Sequence, residues 1–324
     1  MAPRLLVARS LLCLVMVLTA CSRPPKDAVA DAPHPLYLGQ RPPGMVPERF
    51  ATGLISTDAI ELNAVFTPDG REFLFTRLIE GDDDRGYQGR LRPILHHSIV
   101  ERGSWSAPRP LLLFPGEALS VAVDMSVSPD GQRLFFMGQH PHGQAPDLWV
   151  SRRVEGRWST ATPLPDPVNT PASEVYSTVV ADGSLYFTSN RPASRGRSHL
   201  YRAQRLDEDR FGDPVNVGPP INGEFGTGDT FVAPDERYLI LASGRAPSFG
   251  AGDLFVAFRG TDGRWRDPVN LGESINTAQG EYCPMVTPDG RYLFFSRRTP
   301  GPWSGATDGD VFWVDARVIE RVRP

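Results

Sequence analysis

Cysteine is scarce in this sequence: the 324 residues include three, Cys13, Cys21 and Cys283. So few exclude a disulfide framework, and a stable fold must rest on an apolar core, which a chain of this length can bury. Lysine is scarcer still. Lys26 is the single lysine, its basic partners are arginines, and the formal net charge is −4. A mildly acidic chain offers no basic face for nucleic acid. Beyond the N-terminus no stretch approaches the roughly 20 apolar residues that span a hydrocarbon core. No segment of useful length repeats its apolar residues with a helical period. There is no Gly-x-Ser-x-Gly nucleophile turn and no phosphate-binding glycine loop. His96-His97 and His140-Pro141-His142 lack a Cys or acidic partner at a zinc-site spacing. Asp82-Asp83-Asp84 and Asp308-Gly309-Asp310 lack the rest of a calcium loop. No metal and no cofactor is expected.

What is present begins with an export signal. Arg4 and Arg9 precede the short apolar run Leu11 to Leu18, and small residues then lead to a cysteine in Leu18-Thr19-Ala20-Cys21. This resembles the lipobox of bacterial lipoproteins. The resemblance implies cleavage before Cys21 and lipidation of that residue. Ser22, rather than an aspartate, follows the cysteine, which in that family points to the outer membrane. Several acyl chains, at about 0.8 kcal/mol per buried CH2, hold firmly. Losing residues 1–20 removes Arg4 and Arg9 and no acid, so the exported part is two charges more negative. Cys283 would be the one free thiol, and Tyr282-Cys283-Pro284-Met285-Val286 reads as a buried strand with no group to activate it. Residues 21–47 carry seven prolines and no hydrophobic period, and read as a lipid-anchored tether. Residues 48–324 form the folded part.

That part repeats. A turn signature followed by an apolar strand occurs at Pro68-Asp69-Gly70, Pro129-Asp130-Gly131, Ala181-Asp182-Gly183, Pro234-Asp235-Glu236 and Pro288-Asp289-Gly290. The turn aspartates are 61, 52, 53 and 54 residues apart. Asp-Gly between apolar runs is a strong hairpin signal, and the Asp side chain can bond the backbone two residues on. Third strands follow as Asp147-Leu148-Trp149-Val150, His199-Leu200-Tyr201-Arg202, Asp253-Leu254-Phe255-Val256 and Asp310-Val311-Phe312-Trp313, with His97-Ser98-Ile99-Val100 in the first slot. Outer strands follow Trp105, Trp158, Phe211 and Trp265, aromatics placed to fill the space between sheets. Four-stranded sheets cannot bury both faces alone, and radial stacking buries them.

The expected fold is therefore all-β: a single β-propeller of four-stranded antiparallel blades. Five blades fit the repeats, and a sixth is open if Arg77–His96 hides further strands. The last repeat lacks an outer strand, and the segment from Arg49 to Ile55 is expected to supply it. The Pro-Asp-Gly hairpins with their aromatic and Asp-Leu-aromatic strands resemble TolB-type, WD40-like propeller repeats over roughly residues 50–315. The resemblance implies fold and says little of function. The α/β domain of TolB itself has no counterpart here, so its partners do not carry over.

Repeat positions place Glu61, Asp124, Glu174, Asp229 and Glu281 at inner-strand starts, and Arg77, Arg191, Arg245 and Arg297 at or just past second-strand ends. All lie on the rim opposite the Asp-Gly turns. Either they form a polar mouth for an anionic or hydroxyl-rich ligand, or they pair and tie the blades together. Two functions follow. One is a non-catalytic lipoprotein on the periplasmic side of the envelope, binding a protein partner or cell-wall glycan. The other is a glycan hydrolase using Glu61, Glu174 and Glu281 as acid and base. An arginine locked onto those glutamates would count against the second.

Overall fold

The computed structural model describes residues 35–81, 90–114, 121–139, 145–194, 196–299 and 308–324. Cys21, Asp82-Asp83-Asp84 and His140-Pro141-His142 lie outside the described residues. Among those described, the α-helix Arg317–Arg321 is the single one, and no helix is long and apolar enough to cross a membrane.

Alternating turn and strand signals produce five antiparallel blades. Blade 1 comprises Ile60–Phe66, Glu72–Gly81 and Arg90–Glu101, edged by Ser104–Trp105 and Arg109–Pro110. Blade 2 comprises Val121–Val127, Arg133–Gln139 and Asp147–Val154, edged by Arg157–Trp158 and Thr162–Pro163. Blade 3 comprises Glu174–Val179, Leu185–Ser189, His199–Ala203 and Val215–Asn216. Blade 4 comprises Thr230–Val232, Tyr238–Ser243, Asp253–Phe258 and Val269–Asn270. Blade 5 comprises Gly280–Val286, Tyr292–Arg298 and Gly309–Asp315, and its outer strand comes from the other end of the chain as expected, but it is the two-residue Glu48–Arg49 and not the run from Arg49 to Ile55, because the chain turns from Phe50 onward. Arg77–His96 adds no sixth blade. It lengthens the hairpin of blade 1, where pairing runs on through Ile79–Arg92 to Gly81–Arg90.

The turns form as local chemistry dictates. In all five, the aspartate Oδ1 accepts the N–H two residues on, at Arg71, Gln132, Ser184, Arg237 and Arg291. Gly70, Gly131, Gly183 and Gly290 take the left-handed backbone that follows, and in blade 4 Glu236 takes it at φ +55°. The outer segments repeat as well. Asn169, Asn222 and Asn276 each accept the N–H, and donate to the carbonyl, of Leu148, Leu200 and Leu254. This bidentate link fastens each outer loop to the third strand.

Second strands are buried along nearly their whole length, as sheets covered on both faces require. Closure of the ring is aromatic. Phe50 is fully buried against Phe73, Phe294 and Trp313, with ring centroids 4.9–5.2 Å away. Residues 35–38, within the segment read as tether, also lie on the ring. Tyr37 is buried 4.8 Å from Tyr292, and its hydroxyl donates to Asp289 Oδ2.

Candidate functional site

Inner strands carry the geometry that matters. Each of four has a bulge, between Leu62 and Val65, Val123 and Ser126, Val175 and Thr178, and Tyr282 and Met285. The first bulged residue is Asn63, Asp124, Tyr176 or Cys283, with φ between +50° and +57°. Asp229 holds the corresponding place in blade 4, just before Thr230. A bulge re-aims its side chain, and these five converge on the central channel. They line the floor of a cavity of about 560 Å³ that opens between the Pro-Asp-Gly turns. On the opposite side, Tyr176 and Asp229 also line a cavity of about 450 Å³ with Arg197, Phe225, Tyr282 and Arg298. The ring of bulged residues is thus the waist between two mouths.

The five acids expected to form one ring therefore divide into two sets. Glu61, Glu174 and Glu281 lie two residues before the bulge and are fully buried. Each accepts both the N–H and the hydroxyl of a threonine four residues earlier: Thr57, Thr170 or Thr277. Each is also met by an arginine. Arg77 and Arg297 donate Nε at 2.8 and 2.7 Å, and Arg191 reaches Glu174 at 3.3 Å. The guanidiniums continue to carbonyls of the preceding loop, at Ile55, Val168 and Ile275. They lie over the rings of Phe75, Phe187 and Phe295. Burial is the largest influence on Glu61 and raises its pKa despite Thr57 and Arg77. In blades 2 and 4, Ala122 and Thr227 take the glutamate's place. Arg245 keeps half of the clasp, donating to Ser243 Oγ and the Ile221 carbonyl, and burial lowers its pKa.

Asp124 and Asp229 belong instead to the waist. Asp229 Oδ2 accepts the Cys283 N–H at 2.7 Å, and the Cys283 thiol lies 3.8 Å from Asp124 Oδ1. Burial, then the charge of Asp229, raises the pKa of Asp124 well above the ordinary carboxylate range. Burial raises Asp229 as well, and it raises the Cys283 thiol together with the two carboxylates. Tyr176 is pushed up first by the charge of Asp229 and then by burial. Asn63 is committed elsewhere, its Oδ1 accepting the Met125 N–H at 2.6 Å. Asp124, Asp229 and Cys283 each bring one ligand atom within 4.8 Å of the others. No motif spacing reveals this, because Cys283 lies 54 residues from Asp229 and 159 from Asp124. A count separates the two sets of acids, though it does not show that the waist residues meet: these stand five before each turn's first residue, and the clasped glutamates seven.

No protein-family model and no curated protein matches the sequence. Solved structures do match. A complex of BT0996 with RGII is similar at TM-score 0.53 and 10% identity, over 83% of this chain and 91% of that one. An endo-arabinase from Bacteroides thetaiotaomicron is similar at TM-score 0.50 and 12% identity, over 81% and 94%. This chain is a five-bladed β-propeller. TolB from Acinetobacter baumannii is similar at TM-score 0.47 and 15% identity, over 80% of this propeller chain, and the match spans 55% of the TolB chain. At such identities the likeness concerns fold alone.

Proposed function

We propose that this propeller is a non-catalytic binding module of the cell envelope, lipidated at Cys21 and held on the periplasmic side of the outer membrane. Its partner is a protein or a cell-wall glycan, taken at a mouth of the channel. The observation that carries this reading is the threefold clasp. A general acid or base must reach its substrate, and Glu61, Glu174 and Glu281 are fully buried, each bonded to a threonine and an arginine. These three, with Arg77, Arg191, Arg245 and Arg297, are assigned to the scaffold. Of the two mouths, recognition is assigned to the one between blades 3, 4 and 5. There Phe225 is 61% exposed beside Tyr282 and Arg197. Aromatic faces and a guanidinium suit a sugar ring or an extended peptide.

One observation favours the hydrolase reading. Asp124 and Asp229 form a carboxylate pair in the channel, with ligand oxygens no more than 4.8 Å apart, and retaining glycosidases work with a close pair of carboxyl groups. A single experiment separates the two. The full lipidated protein, in detergent, is assayed for saturable binding to peptidoglycan, envelope polysaccharide and solubilised envelope proteins, and for release of soluble sugar. Saturable binding that falls at least tenfold in Phe225→Ala/Arg197→Ala, with no sugar released, is the expected result. Sugar release abolished by Asp124→Asn or Asp229→Asn would replace this reading with the hydrolase.

A further inference from the structure

At the channel waist, ligating side chains from three blades meet, and among the described residues none of them has an ion-pair partner. Asp124 of blade 2, Asp229 of blade 4 and Cys283 of blade 5 are 8%, 7% and 6% exposed. Asp124 is the decisive residue. Its surroundings are burial, the Asp229 carboxylate and the Cys283 thiol. Among the described residues no arginine, histidine, hydroxyl or backbone N–H reaches it. The fold treats its other buried inner-strand acids differently, since Glu61, Glu174 and Glu281 each receive an arginine. A buried carboxylate facing a second one is costly unless a cation or a shared proton lies between them.

We propose that Asp124, Asp229 and Cys283 bind one zinc ion at the waist, with the fourth coordination position facing the cavity between the Pro-Asp-Gly turns. The donor set selects the metal. Calcium and magnesium take oxygen ligands, whereas zinc accepts thiolate sulfur together with carboxylate oxygen. Tetrahedral zinc holds sulfur at about 2.3 Å and oxygen at about 2.0–2.2 Å, which puts the two ligand atoms about 3.5 Å apart. Cys283 Sγ and Asp124 Oδ1 stand 3.8 Å apart. Three protein ligands with an open fourth place leave room for water or an incoming ligand atom. Tyr176 lines the channel with Asp229 and stands outside the ligand set, where it orients that carboxylate. Binding is a plain ligand exchange. The thiol proton, and any proton held by the carboxyl pair, leaves to solvent, each ligand atom donates a lone pair, and nothing is oxidised.

The test uses the full chain, purified without a polyhistidine tag and stripped with chelator. Zinc is titrated against a chromophoric chelator, and cobalt is bound in a parallel sample. The expected result is one equivalent of zinc and a thiolate-to-cobalt charge-transfer band in the near ultraviolet. Changes outside the ligand set cost about 10–100-fold in metal affinity, so Cys283→Ser and Asp124→Asn should each cost at least about 100-fold. Circular dichroism of each variant checks that the fold persists. Absence of zinc binding by the unaltered protein overturns the proposal, and so does cobalt binding without the sulfur band. Equal zinc affinity in Asp124→Asn/Asp229→Asn and the parent, or calcium outcompeting zinc, overturns it too.

Discussion

Glu72, at the start of the second strand of blade 1, is 5% exposed and meets groups from two blades. His97 Nδ1 lies 2.7 Å from one oxygen, Trp158 Nε1 donates at 3.1 Å, and Arg153 forms an ion pair with the other oxygen. Burial alone would raise its pKa, but the His97 bond and the Arg153 charge outweigh burial and hold it below the ordinary value. A depressed folded-state pKa means stability that is present above the unfolded value of about 4.3 and lost as pH falls through the folded value. Glu72→Gln should cost about 1–3 kcal/mol at pH 7. Urea unfolding at pH 7, 5 and 3 should show that deficit shrinking towards pH 3; a deficit that is constant across the series would contradict the assignment. The turn aspartates were readable from sequence because their bonds close within two residues. The Glu72 contacts were not, because Arg153 and Trp158 lie 81 and 86 residues away. Glu236 falls between these cases. Its departure from the Gly pattern is visible in sequence, but its reason is a bond from Tyr186 and ion pairs with Arg202 and Arg259.

Within an element, the clasp couples an inner strand, the loop before it and the end of the second strand. Arg191 links Glu174, the Val168 carbonyl and the rings of Phe187 and Tyr201. Arg191→Ala leaves a fully buried carboxylate without its cation and should cost about 3–5 kcal/mol, measured by chemical denaturation. Glu174→Gln/Arg191→Met, which removes both charges, should recover part of that loss. A double variant no more stable than Arg191→Ala would show that packing of the guanidinium, not charge, dominates. The pairing of acids with arginines was among the sequence expectations, since both recur at fixed places in the repeat. The separation of Asp124 and Asp229 from the glutamates was not, although a count from the turn shows it; what stayed hidden is that the nearer set turns inward, because a bulge breaks the two-residue alternation on which strand reading depends.

On the scale of the molecule, the ring is closed by a strand borrowed from the other end of the chain. Glu48 and Arg49 pair with Trp313 and Phe312, the Phe50 N–H donates to the Val311 carbonyl, and Arg49 meets Asp310 at 3.0 Å. Phe50→Ala empties a fully buried aromatic site between blades 1 and 5 and should cost about 3–5 kcal/mol. Proteolysis should then cut first in blade 5, whose third strand loses its cover. Uniform susceptibility around the ring would argue against closure as the weak point.

The repeat, the hairpins and the all-β class follow from residue order alone, and so does the need for a closing strand from the N-terminal side, though not its bounds. The first three rest on local chemistry: turn aspartates, left-handed glycines and apolar strands of the right length; the closing strand rests on the outer strand that the last repeat lacks. The folded ring decided that Arg77–His96 lengthens a hairpin instead of adding a blade, since strand number does not state how strands pair. It alone brought Asp124, Asp229 and Cys283 to one point. Radial stacking places equivalent residues of distant blades around a common axis, and bulges turn them inward, so their neighbourhood is a property of the closed ring.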